Sequence, residues 1–134
     1  MERTYIMLKP DVPQRGIIGE ILARIERKGY RIAKMKTMQL DEAILREHYA
    51  HIADQPFFPS TVSYMTSGPV TALIVEGEDV VRGMRMLMGP TKFEDAQPGT
   101  IRGDFAQSTN NNVIHGSDSP ENAEIEIKRF FGSC

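Results

Sequence analysis

The chain has 134 residues, of which 40% are hydrophobic and 25% charged, with a formal net charge of −2. That length makes one domain, able to bury roughly two-thirds of its unfolded surface. The near-neutral balance argues against nucleic acid or a membrane surface as main partner, and no apolar run approaches membrane-spanning length.

In chain order, Thr4 to Lys9 reads as a strand, apolar on both faces and therefore central in its sheet. Lys9-Pro10-Asp11 breaks it and leaves a lysine at its end. Gly16 to Lys28 reads as one amphipathic helix, with Ile17, Ile18, Ile21, Leu22 and Ile25 as the buried stripe and Gly29 as the stop. Tyr30 to Leu40 is a second strand, with Lys34 and Lys36 on its solvated side. Asp41 caps a helix through about Ile52, whose inner face holds Ile44, Leu45, His48, Tyr49 and Ile52. Residues 54–59 form a loop with Phe57 and Phe58 between prolines, and a short helix covers Ser60 to Thr66. Val70 to Val75 is a third strand. Asp79 to Met88 is a helix with Arg85 at the edge of its apolar face. Gly89 to Asn111 has no periodicity, and a loop of that length in a compact domain implies a task.

Val113 and Ile114 read as the end of a buried strand, followed directly by His115 and a tight polar turn from Gly116 to Ser119. Ser119-Pro120 is a strong helix start, a hydroxyl at the N-cap and a proline where no N–H is missed. Ala123, Ile127, Phe130 and Phe131 make the core-facing stripe, and Glu126 borders it. A histidine at a strand end thus faces a carboxylate on the inner flank of the next helix, an arrangement that can hold an imidazole in one tautomer. The element order predicts an α/β (α+β) sandwich of β-α-β-β-α-β type, with helices covering one face of a four-stranded sheet and no internal domain boundary over 1–134. The single cysteine, Cys134, cannot close an internal disulfide, and Met1-Glu2-Arg3-Thr4 has no signal-peptide apolar region. A cytoplasmic protein with Cys134 as a free thiol on a loose tail is the expectation.

Lys9, Arg85 and Arg102 stand at element ends or in loops, near Gly89, Gly99 and Gly103, with Thr91 and Thr100 as hydroxyl donors. Singly, each is an ordinary solvated charge; converging on one histidine, they would mark an anionic substrate. No G-x-x-x-x-G-K-[ST] occurs, and no strand-linked G-x-G-x-x-G. His48 and His51 lie three apart on a helix but lack a third ligand at a telling spacing. The Phe57-Phe58 pair is either core or, in its loop, a candidate to stack on a base.

These residues resemble the nucleoside diphosphate kinase family. N-V-I-H-G-S-D-S at 112–119 is very similar to that family's active-site signature. Further blocks match in order: Y-I-M-L-K-P-D, H-Y-A, P-F-F, M-T-S-G-P-V and P-G-T-I-R-G-D-F. The resemblance implies a ferredoxin-like fold and a ping-pong transfer of the γ-phosphate from a nucleoside triphosphate to a nucleoside diphosphate, with broad base specificity. It implies His115 as nucleophile through Nδ1, with Glu126 and Ser117 orienting the imidazole. Lys9 and Asn112 would hold the ribose hydroxyls, with Lys9 also near the transferred group. Arg85, Thr91 and Arg102 would hold phosphates, Tyr49 would line the pocket and Phe57 would stack on the base. Mg2+ would bridge the phosphates with no direct protein ligand, and Asp118 would approach its water shell. A homo-oligomer is implied, a hexamer first and a tetramer as the alternative, with dimers as building block.

The chain departs from the family pattern at Val12-Pro13 (usually glycine then valine), at Asn111 (commonly arginine) and at Thr109 (often aliphatic, beside the base). Lys92-Phe93 replaces the asparagine-proline of a loop that helps subunits pack. None touches the nucleophile or the phosphate ligands, so these positions bear on assembly more than on activity. A competing class is a binding protein that reads single-stranded nucleic acid through its sheet. The slightly acidic balance and the lack of a basic stripe with interleaved aromatics speak against it.

Overall fold

The computed structural model describes residues 1–109 and 111–132; Cys134 lies outside the described residues. The elements are β1 (Glu2–Leu8), α1 (Asp11–Arg15), α2 (Ile18–Arg27), β2 (Arg31–Met38), α3 (Glu42–His48), a 3₁₀ turn (Ala50–Ile52) and α4 (Phe58–Met65). There follow β3 (Val70–Gly77), α5 (Val80–Met88), a second 3₁₀ turn (Phe93–Asp95), α6 (Ile101–Phe105), β4 (Ile114–Gly116) and α7 (Pro120–Phe131). The sheet runs β2-β3-β1-β4 with every pairing antiparallel. This is the expected ferredoxin-like β-α-β-β-α-β framework, with β1 internal as its two apolar faces require.

Helices cover both faces of the sheet, not one. Ile6 and Leu8 of β1 pack with Ile21 and Ile25 of α2, Val80, Met84 and Met88 of α5, and Ile101 of α6. Tyr5 and Met7, pointing the other way, pack with Leu45 of α3, Phe58 and Met65 of α4, and Ile127 and Phe130 of α7. Alternation along a strand sends neighbours to opposite faces, so a strand apolar at every position needs cover on each side. All four β1 side chains are fully shielded from solvent, and each such burial stabilises by about 1.5–3 kcal/mol.

Two helix ends move: the helix expected from Asp41 to about Ile52 stops at His48 ahead of the 3₁₀ turn, and the helix expected from Ser60 opens at Phe58. Three further local readings change. The helix expected from Gly16 to Lys28 is two helices, because Gly16 at φ 72° closes α1 and lets the chain turn into α2. Val12, one of the departures, is buried within α1. The stretch 89–111 contains α6, capped by the Thr100 hydroxyl accepting from the Gly103 N–H. The third change concerns Val113 and His115. His115 lies in the middle of β4, opposite Met7, and not beyond a strand end. Val113 stands at φ 65°, and the Ile114 N–H donates to the Asn112 carbonyl at 2.8 Å across it. That is a tight three-residue turn in a region a β-branched residue rarely adopts. Among the described residues no helix is long and apolar enough to cross a membrane.

Candidate active site

A cleft of about 620 Å³ opens where β1, β4, α3, α5 and α7 meet. Lys9, Tyr49, Arg85, Thr91, Arg102, Asn112, His115, Asp118 and Glu126 all line it, so nine of the residues singled out from the sequence converge. Ser117 sits just beneath, 1% exposed. Phe57 lines an adjoining recess with Lys9, Tyr49, Tyr64, Thr91 and Thr109.

Each position follows from local structure. β4 pairs with β1 and aims His115 into the cleft. The Ser119 hydroxyl accepts from the Asn122 N–H at 3.1 Å and Pro120 opens α7, which fixes where Glu126 emerges two turns later. Glu126 Oε1 lies 2.9 Å from His115 Nε2 and accepts from the Ser117 hydroxyl at 2.6 Å. Burial pushes the Glu126 carboxyl up, but the hydrogen bond and charge of His115 and the Ser117 hydroxyl outweigh it and hold the group below its ordinary value. An ionised carboxylate can only accept, so the proton of a neutral His115 is on Nε2 and the lone pair on Nδ1.

Lys9 and Arg102 are fixed as firmly, while Arg85 stays exposed. Arg102, 5% exposed, donates to the Gly89 carbonyl at 2.9 Å and the Ile114 carbonyl at 2.7 Å. Burial and the neighbouring Arg85 bring it down to about 10, which leaves it charged at neutral pH. Lys9 donates to Asn112 Oδ1 at 2.6 Å. Burial, then the charge of Arg102, lowers Lys9 to about 7. Three positive groups line the cleft, and among the described residues neither arginine is ion-paired, which favours an anion of several charges. Arg85 reaches in from the last turn of α5 and donates to the Gly116 carbonyl at 3.3 Å. Burial keeps the Tyr49 phenol well above its ordinary value, so it stays a neutral donor.

Two features go beyond the roles read from the sequence. His48, taken as one apolar position of its helix, is in the cleft wall with its ring 4.5 Å from that of His115. Arg129 of α7 also lines the cleft, 2.9 Å from Glu47 and 3.0 Å from His48 Nδ1. Only tertiary packing brings these residues to His115. Among the described residues, ligand atoms of His48, His115 and Glu126 lie within 4.8 Å of one another. At the rim, Asp118 is exposed, and one of its oxygens accepts from the Asn122 amide at 2.6 Å.

A family model described as nucleoside diphosphate kinase matches residues 2–134. A nucleoside diphosphate kinase of Exiguobacterium sibiricum is 58% identical over 131 residues, covering 98% of this chain and 95% of the relative. A solved nucleoside diphosphate kinase of Encephalitozoon cuniculi superposes with a TM-score of 0.95 at 46% identity, over 99% of this chain and 90% of that one. One from Halobacterium salinarum, solved in complex with CDP, gives 0.92 at 50% identity, over 97% and 87%.

Proposed function

The chain belongs to the nucleoside diphosphate kinase family and is a phosphotransferase that moves the terminal phosphate of a nucleoside triphosphate onto a nucleoside diphosphate, and we propose that His115 is the residue that carries the phosphoryl group between them. The observation behind this reading is the Glu126–His115 contact, which engages Nε2 and leaves Nδ1 facing a cleft ringed by cations.

In the first half-reaction, the Nδ1 lone pair of His115 bonds to the γ-phosphorus while the bond from that phosphorus to the bridging oxygen breaks. The nucleoside diphosphate leaves with the electron pair. The ring keeps its Nε2 proton and becomes positive, and the Glu126 carboxylate, steadied by Ser117, stabilises that charge. In the second half, a terminal phosphate oxygen of another nucleoside diphosphate takes the group and restores the free imidazole. Arg85, Arg102 and Thr91 hold phosphate oxygens, Lys9 and Asn112 hold the ribose, and Lys9 and Tyr49 reach the transferred group. Such transfer depends on position and electrostatics, which fixed cations supply without reorganisation. Phe57 stacks on the base, in keeping with the CDP held by the Halobacterium relative. Stacking accepts any base, hence a broad range of nucleotides.

Family members use a divalent metal, and for this chain we assign Mg2+. Of the three carboxylates lining the cleft, Glu47 is paired with Arg129 and Glu126 is engaged by His115 and Ser117, which leaves the exposed Asp118 at its rim among cations, amides and hydroxyls. That donor set suits an ion carried on the nucleotide phosphates, with Asp118 at its water shell, better than one caged by protein. Bound with the nucleotide, such an ion would supply charge neutralisation to the phosphates, with Asp118 as the carboxylate nearest to its water shell. Residues 1–134 act as one catalytic domain, in the cytoplasm, as a homo-oligomer of dimers, a hexamer or else a tetramer.

The test is incubation with γ-labelled ATP. Wild type takes up an acid-labile, alkali-stable label that a nucleoside diphosphate removes. His115→Ala takes up none and loses at least about four orders of magnitude in turnover. Normal labelling of that variant would refute the assignment.

A further inference from the structure

Among the described residues several buried polar atoms lack a partner, and one of them belongs to a ring in contact with His115. His48, the last residue of α3, is 7% exposed, and among the described residues its Nε2 has no hydrogen-bond partner. Burial, then the charge of His115, lowers it to about 3, so it is uncharged at any working pH. Its tautomer follows from its neighbour. Arginine can only donate, so the Nδ1 at 3.0 Å from Arg129 carries the lone pair, and the proton is on Nε2. Arg129 is itself held by Glu47 at 2.9 Å.

The ring of His48 is wedged on three sides. It stands at 77° to the His115 ring with centroids 4.5 Å apart, at 69° to Tyr49 at 4.7 Å, and at 81° to Phe130 at 5.1 Å. Edge-to-face contacts of this kind place the positive rim of one ring on the negative face of another, and an N–H can take an aromatic face as a weak acceptor. Glu126 holds the His115 ring through one hydrogen bond, which leaves coupled χ1 and χ2 motion open, and the Tyr5 ring lies farther off at 6.0 Å. A second ring braced against it removes this freedom. The proximity of His48, His115 and Glu126 would also suit a small cation, but Arg129 already occupies His48 Nδ1, and Lys9, Arg85 and Arg102 line the same cleft.

We infer that His48 is a positioning residue for phosphoryl exchange: the chain Glu47–Arg129–His48 holds an uncharged imidazole edge-on against His115, and so fixes the plane in which Nδ1 meets phosphorus. His48 gives up and takes no proton in the cycle. The inference rests on reading His115 as the nucleophile. It differs from a purely structural role because it predicts slower chemistry in molecules that are fully folded and bind nucleotide normally.

The test compares wild type, His48→Ala and His48→Phe by single-turnover labelling from γ-labelled ATP, with rates referred to the folded fraction. ADP affinity and the 15N shifts of His115 are measured in parallel. His48→Ala is expected to bind ADP within about twofold of wild type, to label about tenfold or more slowly, and to give averaged ring-nitrogen shifts. His48→Phe keeps an uncharged ring edge and is expected to recover most of the rate. Labelling of His48→Ala at the wild-type rate would overturn the inference, as would a loss explained by unfolding or weaker ADP binding. Equal slowing in both variants would overturn it too, since an aromatic edge would then not suffice. If wild type itself carries no label on His115, the assignment of the nucleophile fails first; labelling of wild type and His48→Ala alike sinks only the role of His48.

Discussion

The two ends of the cleft are built differently. At the phosphate end, Lys9, Arg102, Asn112 and Ser117 are 8%, 5%, 5% and 1% exposed, and each is tied to backbone or to another side chain. Arg85 and Thr91 reach the phosphates from the exposed side of the cleft, and at the base end Phe57 is 49% exposed and Thr109 also faces solvent. Thr109 is held there through its hydroxyl, which accepts from the Phe93 N–H at 3.0 Å. Groups that act on phosphorus must be placed before the substrate arrives, because reorganising them during the reaction would raise the barrier. Groups that meet the base need only offer a surface, and an exposed ring can adjust to purine or pyrimidine. The chain spends its rigidity on the part common to all its substrates.

The sharpest way to break that contrast is at Arg102. Arg102→Met removes a phosphate ligand and strips the Gly89 and Ile114 carbonyls of their donor. Steady-state kinetics should show kcat/KM lower by about 10²–10³-fold, and denaturant melts a stability loss of about 1–3 kcal/mol. A rate within tenfold of wild type would mean that the phosphate end is no more committed than the base end.

The next effect is one of pH. Lys9 has a folded pKa near 7, depressed from an unfolded value of about 10.4. For a lysine lowered on folding, the cost to stability is full below about pH 7 and is relieved as pH rises towards the unfolded value. For an anionic substrate the direction reverses: the cation is present below about 7 and lost above it. The KM for nucleotide should therefore climb between pH 7 and 9, by up to about tenfold per unit, and Lys9→Met should flatten the curve. A level wild-type profile would contradict this.

The smallest effect belongs to the base end. Phe57→Ala should weaken nucleotide binding by about 1 kcal/mol, the low end for stacking because the ring is half exposed, and should leave kcat nearly unchanged. The loss should be alike for purine and pyrimidine nucleotides. A selective loss for one base would show that this end reads sequence chemistry after all.

Much of this was legible in the residues themselves. The start of α7 was written in Ser119-Pro120, and the stripe Ala123, Ile127 and Phe130 fixed which way Glu126 would face. The cations were visible one by one, and the family resemblance brought them together before the cleft did. What stayed hidden has physical causes. α6 has five residues, too few for a period, and its buried face pairs Ile101 with a charged Arg102. Val113 reads as strand because a branched side chain favours extended backbone, and nothing local announces φ 65°. The second covered face of the sheet follows from β1 being apolar throughout, because each face of such a strand needs cover. His48 was invisible for a different reason: at helical spacing a buried imidazole looks like any core residue, and only α7 shows what it leans on.

The turn at Val113 has a consequence for anyone trying to harden this enzyme against heat. A branched residue held in left-handed backbone stores about 1–3 kcal/mol. Val113 is fully buried in the core, however, so glycine would release that strain only by giving up a burial of about the same size. This same kink also sets the angle between Asn112, which grips Lys9, and the strand carrying His115. Relaxing it would loosen the tool with no gain to the scaffold, so thermal engineering should begin on the exposed edge of β2 and leave this bend under tension.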